Sequence, residues 1–358
     1  MAARALSFML LGLGALLLSC ELLLRLLPVS SATLTGYHLD PLILSYPPRH
    51  AWTSATGWDL RNSYRNLANN AGYIAHRDFK HDPEAVALIG DSFVEASMLP
   101  PAERPGVQLE RALAGRPVYA LGLPGSALLD YAERMRWAQQ RYGIRDFVLL
   151  LERGDLRQSL CGSGNVHGPC LDPDTLVPRI ETQPAPGRLK QWLRHSALAQ
   201  YLFSQLKLTP QRLWKQTLEQ ARPPSEAPAV KAASPLASAS APLTGQNAVA
   251  REFFRRIAAL ELRRLVIVLD TDRDAIYAGR PVGNPELQTL ITQVPSLSAR
   301  LVDTTPLLMQ DYAQQGLSFD VGPYDKHLNT LGVHLLMKAA ARALRNAPSA
   351  ADQGRDLH

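Results

Sequence analysis

Short unbroken apolar runs alternate with amphipathic stretches through most of this chain. Ala85–Ile89 is a run of small or branched apolar residues closed by Gly90, and Val118–Leu121, Phe147–Leu151, Arg264–Asp270 and Ala299–Asp303 repeat the pattern. Runs of about four to eight such residues, bounded by glycine or charge, read as strands buried on both faces. Between and after them, Val107–Leu113, Leu128–Tyr142, residues 247–261 and Thr330–Arg345 carry apolar residues at helical spacing. Strands alternating with helices predict βαβ units. The fold class is therefore α/β, a three-layer α/β/α sandwich around a central parallel sheet.

Two stretches break the pattern. Ala5–Ser19 is uncharged and leucine-rich, and the leucines continue past Glu21 and Arg25 to Leu27. Extended that far, the run reaches the roughly 20 residues that cross a bilayer. Residues 1–29 are predicted to be an uncleaved signal anchor with a short cytoplasmic end and the remaining chain outside. Glu21 and Arg25, four apart, can pair on one helix face at the outer boundary. A cleaved signal peptide competes, with Ser30-Ser31-Ala32 as small residues at a cleavage spacing. A lipoprotein box over Leu17–Cys20 ranks behind both, because the leucines run on past the cysteine. The second stretch, residues 221–244, is rich in Pro, Ala and Ser with few large apolar groups, and is predicted to be a mobile linker.

The organisation that follows is an irregular leader over 30–84, a first half of the α/β domain over 85–155, an insertion over 156–245, a second half over 246–346 and a flexible tail over 347–358. The insertion is predicted to carry amphipathic helices from Leu189 to about Leu218, and to act as a lid or docking surface. With 46% hydrophobic residues in 358, the chain can bury one large core plus extra segments. Its 38 basic and 32 acidic residues leave a net charge of +6 without a dense basic run, which argues against nucleic acid as a partner. Cys161 and Cys170 flank a glycine-rich loop and are predicted to form a disulfide in an oxidising compartment. A metal site recruiting His167 lacks a second ligand pair of zinc-like spacing, and two free thiols are the plain alternative. Neither a metal nor an organic cofactor is called for.

The chemistry concentrates at two distant places. Gly90-Asp91-Ser92-Phe93 follows the first apolar run, so a tight turn would lift the Ser92 hydroxyl above the sheet edge, where open α/β sheets place ligands. Serine needs a base and an orienting carboxylate to act as a nucleophile. Tyr324-Asp325-Lys326-His327-Leu328-Asn329, just before the last helical stretch, offers both in a loop, with Asn329 or Thr330 as helix cap. A plain strand-to-helix turn capped by Asp91 or Ser92 is the bland reading of the first motif. Asp270, Asp272 and Asp274 flank Arg273 at another strand end and read as a surface charge cluster, and Asp155 and Arg157 as loop solvation.

These motifs carry a family resemblance. Ala87-Leu88-Ile89-Gly90-Asp91-Ser92-Phe93 resembles the nucleophile block of the SGNH (GDSL-type) hydrolases, and Asp325-Lys326-His327-Leu328-Asn329 resembles their C-terminal histidine block in the form found in membrane-anchored bacterial members. Residues 118–125 resemble the strand and glycine turn whose second glycine donates an N–H to an oxyanion, here Gly125, and 66–77 resemble the segment that precedes the nucleophile strand. The resemblance implies a flavodoxin-like sandwich, with Ser92, His327 and Asp325 as catalytic residues and an oxyanion hole of Ser92, Gly125 and Gly154. It departs after the third run, where Glu152-Arg153-Gly154-Asp155 stands in place of Gly-Asn-Asp. That puts Gly154 at the position of the asparagine donor, or else Asp155 itself.

What the resemblance implies is a serine esterase or O-acyltransferase, tethered to the bacterial inner membrane by one helix with its domain in the periplasm. The substrate it suggests is an ester, foremost the O-acetyl groups of an envelope or secreted polysaccharide. The rival is an inactive member that binds polysaccharide or an assembly partner, with the missing Gly-Asn-Asp in its favour.

Overall fold

The computed structural model describes residues 2–58, 60, 62–163, 168–208, 243–292, 299–322 and 325–347. The linker expected over 221–244 falls almost wholly outside the described residues, as does the tail beyond 347. The chain divides into a smaller unit drawn from Met1–Thr33, Ala51–Asn66 and Pro184–Ala239, and a larger one comprising Leu34–His50, Leu67–Gln183 and Ser240–His358. Leader and insertion are thus each shared between the two units.

The larger unit is built on five parallel strands: β1 (Val86–Gly90), β2 (Val118–Gly122), β3 (Asp146–Leu151), β4 (Arg264–Leu269) and β5 (Ala299–Asp303). All residues of β1, β2 and β3 are buried, as unbroken apolar runs require. Alternate side chains serve opposite faces. Val86, Leu88, Val148, Leu150, Val266 and Val268 join one core with residues of the helices Pro105–Ala112 and Thr330–Arg345. The helices Leu128–Tyr142, Asp155–Gln158 and Leu243–Ile257 pack together away from that core, the first of them against β1 and β3. The α/β class and the layers expected from the sequence are both present.

The strand order is β2-β1-β3-β4-β5. Winding therefore reverses between β1 and β3, and open sheets bind ligands in the crevice outside the carboxyl ends at such a point. Ser92 follows β1, and the 152–155 turn follows β3. Register holds them level: Ile89 pairs with Leu149, and Gly90 of β1 pairs with Gly122 of β2.

Close approach makes Gly122 indispensable. A Cβ there would lie 2.2 Å from the Glu95 amide nitrogen and 2.6 Å from the Val94 carbonyl carbon, both backbone atoms of the helix that begins at Ser92. Backbone has no rotamer to yield, so Gly122→Ala is expected to cost at least about 1–3 kcal/mol and to shift Ser92. Chemical unfolding, together with reactivity of Ser92 toward a fluorophosphonate, checks this; wild-type stability and reactivity would refute it.

One expected loop is a strand. Asp325–Leu328 pairs antiparallel with Asp320–Gly322 to form a short hairpin before the last helix. Asp325 and His327 are i and i+2 on this strand and so share a face. The smaller unit holds the helix Ala2–Leu26, a two-stranded ribbon over Ala51–Ser54 and Tyr64–Leu67 up to Asn66, and a helical segment over Arg188–Gln205. Arg4–Leu26 is long and apolar enough to cross a membrane. Within it Arg25 Nε donates to Glu21 Oε1 at 2.8 Å, the i, i+4 pair expected.

Candidate active site

Ser92 is the first residue of the short helix Ser92–Glu95, and Asp91 caps that helix by accepting from the Phe93 amide at 2.8 Å. Capping by Asp91 does not consume Ser92. Its Oγ lies 2.8 Å from His327 Nε2, across 235 residues of sequence. His327 Nδ1 is 2.5 Å from Asp325 Oδ1, which also accepts the His327 amide at 3.0 Å. A carboxylate on Nδ1 holds the imidazole with Nε2 free to accept the serine proton, and stabilises the imidazolium that results. The Phe93 ring packs 5.0 Å from the imidazole centroid and covers it. The sequence-predicted serine, histidine and aspartate are therefore together.

Asn329 caps the Thr330–Arg345 helix by accepting from the Gly332 amide at 3.0 Å, and its Nδ2 reaches back to the Ser318 and Asp320 carbonyls at 2.7 and 3.1 Å. The hairpin is thereby tied to the helix. Arg273 secures it from the other side. Its guanidinium, 7% exposed, bonds Asp270, Asp320 at 2.8 Å and the Lys326 carbonyl next to His327. The surface-cluster reading fails for Asp270, which is 4% exposed and lies in this network; Asp272 caps the Arg273–Tyr277 helix and pairs with Arg153 at 2.8 Å, and Asp274 pairs with Lys326 at the surface. Arg134 was also not apparent from sequence. It is buried, and its Nη1 donates to the carbonyls of Gly90 and Leu121 at 2.8 and 3.1 Å, binding the ends of β1 and β2. No motif marks either arginine, and each has charged neighbours in sequence that read as surface: Asp272 and Asp274 beside Arg273, Glu133 and Arg136 near Arg134.

The amides expected as oxyanion donors divide. Gly125 adopts φ +75°, a turn open to glycine, three residues beyond the end of β2. Among the described residues, the Ser92 and Gly125 amides donate to no other group. Gly154 has φ +111°, but its amide donates to Glu286 Oε1 at 2.8 Å. It is engaged, which corrects its placement among the open donors. Asp155 is fully buried rather than solvating a loop: it accepts from the Glu152 amide at 3.0 Å and from the Tyr131 hydroxyl at 3.1 Å, closing the turn.

Burial also sets the electrostatics of this edge. It raises Glu152 to about 8, with help from the charges of Asp91, Asp270 and Glu286, and raises Glu286 to about 7. Asp155 is driven well above the usual carboxylate range by burial and by Asp91, Glu152 and Glu286, and burial raises Asp91 as well. Carboxyls raised to about 7–8 carry less negative charge near neutral pH than free ones. They also fix a sign. Groups that hold protons more tightly folded than unfolded cost stability as pH climbs from the ordinary carboxylate pKa toward 7–8. Glu152→Gln is expected to raise Tm over wild type at pH 8 and to change it little at pH 4.5, by roughly 2–4 °C for each kcal/mol gained. Melting curves at both pH values decide it; equal shifts would contradict the assignment.

Cys161 and Cys170 are disulfide-bonded, while His167, the third ligand of the metal alternative, lies outside the described residues. Among the described residues no group of three or more His, Cys, Asp or Glu is placed to hold a metal ion. No family model matches the sequence, and no curated protein matches it. One solved crystal structure aligns at 12% identity over 74% of this chain and 98% of its own, with a TM-score of 0.34, a likeness too low to carry an argument.

Proposed function

We propose that this chain is a membrane-tethered serine esterase or O-acyltransferase of the SGNH type. The observation that carries the reading is the 2.8 Å approach of Ser92 Oγ to His327 Nε2, with Asp325 on the opposite ring nitrogen. Ser92 attacks an ester carbonyl as His327 takes its proton, and Asp325 stabilises the imidazolium. The oxyanion is received by the amides of Ser92 and Gly125. Collapse expels the alcohol, protonated by His327, and leaves an acyl-enzyme. Water then gives an esterase, and a sugar hydroxyl gives an O-acyltransferase. The resemblance of the sequence blocks favours O-acetyl groups on an envelope or secreted polysaccharide, with the domain on the periplasmic side of the inner membrane.

Engagement of the Gly154 amide by Glu286 favours the second reading, a non-catalytic polysaccharide-binding or assembly protein. The two separate cleanly. The full chain in detergent is treated with a fluorophosphonate probe and the modified peptide is mapped. Modification of Ser92 in wild type, absent in His327→Ala, is expected. A folded protein that stays unmodified would favour the binding role instead. Release of acetate, set against transfer to an added oligosaccharide, then separates esterase from transferase.

A further inference from the structure

The smaller unit places a second apolar surface beside the C-terminal end of the Ala2–Leu26 helix. Glu21 lies within that helix, where an isolated carboxylate is costly if hydrocarbon surrounds it. Its oxygens accept from Arg25 Nε at 2.8 Å, Ser196 Oγ at 2.8 Å, and the Ala197 and Leu198 amides at 3.0 and 2.9 Å. Arg25 also donates to the His195 carbonyl at 3.1 Å. An acid inside the apolar helix thus satisfies the start of the Ala197–Gln205 helical segment. This clamp holds the Arg188–Gln205 region against the apolar helix, around a cavity of about 450 Å³ lined by Leu17, Trp192, Leu193, Leu198, Leu202 and Phe203.

Apolar side chains of that region, two of the cavity-lining ones included, are open to solvent. Leu189 and Trp192 are each 70% exposed and Phe203 is 51% exposed. Between residues 184 and 208 the chain has Arg188, Lys190, Arg194 and Lys207, and no acidic residue. Among the described residues none of these four forms an ion pair. Exposed tryptophan, leucine and phenylalanine beside unpaired cations, on a segment bonded to an apolar helix near its end, match the chemistry of a bilayer interface. We infer that Arg188–Lys207 lies in the headgroup layer of the same bilayer, with Leu189, Trp192 and Phe203 at the acyl boundary and the four basic side chains on the phosphates of anionic phospholipid. The clamp puts this segment at the outer boundary, so it acts as a collar on the anchor. The inference rests on reading Ala2–Leu26 as a membrane helix, and is independent of the proposed chemistry at Ser92.

The full chain is reconstituted into nanodiscs of phosphatidylcholine, with or without phosphatidylglycerol, containing lipids brominated in the acyl chain. Trp192 is one of five tryptophans. Trp192→Phe is expected to remove a bromine-quenched part of the emission, and that part should be larger with phosphatidylglycerol present. A variant with Arg188, Lys190, Arg194 and Lys207 all changed to Gln should lose this lipid dependence. Leu11→Trp, within the apolar helix, serves as the depth reference. Quenching of the Leu11→Trp emission without any of Trp192 would overturn the collar alone. Quenching of neither would remove the anchor reading too.

Discussion

Ser92→Ala and His327→Ala are each expected to lower kcat for hydrolysis of p-nitrophenyl acetate by about 10⁴–10⁶-fold, the range seen when a serine or its base is removed from a unit that works together. The geometry explains why the losses should be so nearly equal. Ser92 without Nε2 at 2.8 Å is an ordinary alcohol, and His327 without the hydroxyl has nothing to activate. The double variant should therefore be scarcely worse than either single one. Asp325→Asn is expected to cost about 10⁴-fold, because an amide at 2.5 Å from Nδ1 can no longer stabilise an imidazolium. KM should change little in all three, since none is placed to bind the rest of the substrate. Ser92→Ala retaining a tenth or more of wild-type kcat would remove the proposed mechanism.

Asp146→Ala is expected to be the most destabilising single change at the other end of the sheet. Asp146 opens β3 with its side chain wholly buried, and it accepts from Arg263 Nε and Nη2 at 3.0 Å each and from Arg116. Arg264 stands 3.9 Å away. Removal takes their shared counter-ion from two partly buried guanidinium groups, Arg263 keeping Glu84 at 2.8 Å, so the cost is bounded by the about 3–5 kcal/mol of a broken buried pair. For a unit of this size that corresponds to a fall in Tm of roughly 6–20 °C. Asp146→Asn, which keeps the shape and an acceptor, should lose less. Below the transition both variants should keep wild-type reactivity at Ser92, because Asp146 lies at the amino end of the strands and the serine beyond their carboxyl end. Thermal melts followed by probe labelling measure both halves of this expectation; an unchanged Tm in Asp146→Ala would contradict the buried-ion account.

Reading the chain from sequence succeeded where one local property decided the outcome. Buried strands have to be apolar on both faces, which made four of the five visible, and the edge strand Ala299–Asp303, only partly buried, showed as a shorter run; all lie within a residue or two of expectation: 85–89 became Val86–Gly90, and 264–270 became Arg264–Leu269. It failed where polar residues are structured by distant partners. Asp325–Leu328 has no alternating apolar pattern, and it is a strand because it pairs with Asp320–Gly322 while Arg273 and Asn329 hold its ends. Asp270 and Asp155 looked like solvent-facing charges because burial is not written in a residue type. Gly154 occupied the expected position for a donor, yet its amide went to Glu286, some 132 residues along the chain. Glu21 and Arg25 were recognisable as a pair four apart, but not as the cap of a helix more than 170 residues later.

By itself, the sequence determined the α/β alternation, an N-terminal helix long and apolar enough to cross a membrane, and which serine, histidine and aspartate deserved attention. These follow from composition and spacing over a few neighbouring residues, which every conformation of the chain shares. Only tertiary structure decided that winding reverses between β1 and β3, that Nε2 meets Oγ across 235 residues, and that the Gly154 amide is taken by Glu286. Those outcomes depend on strand order, burial and the competition of distant groups for the same hydrogen bond, and each exists only once the core has closed.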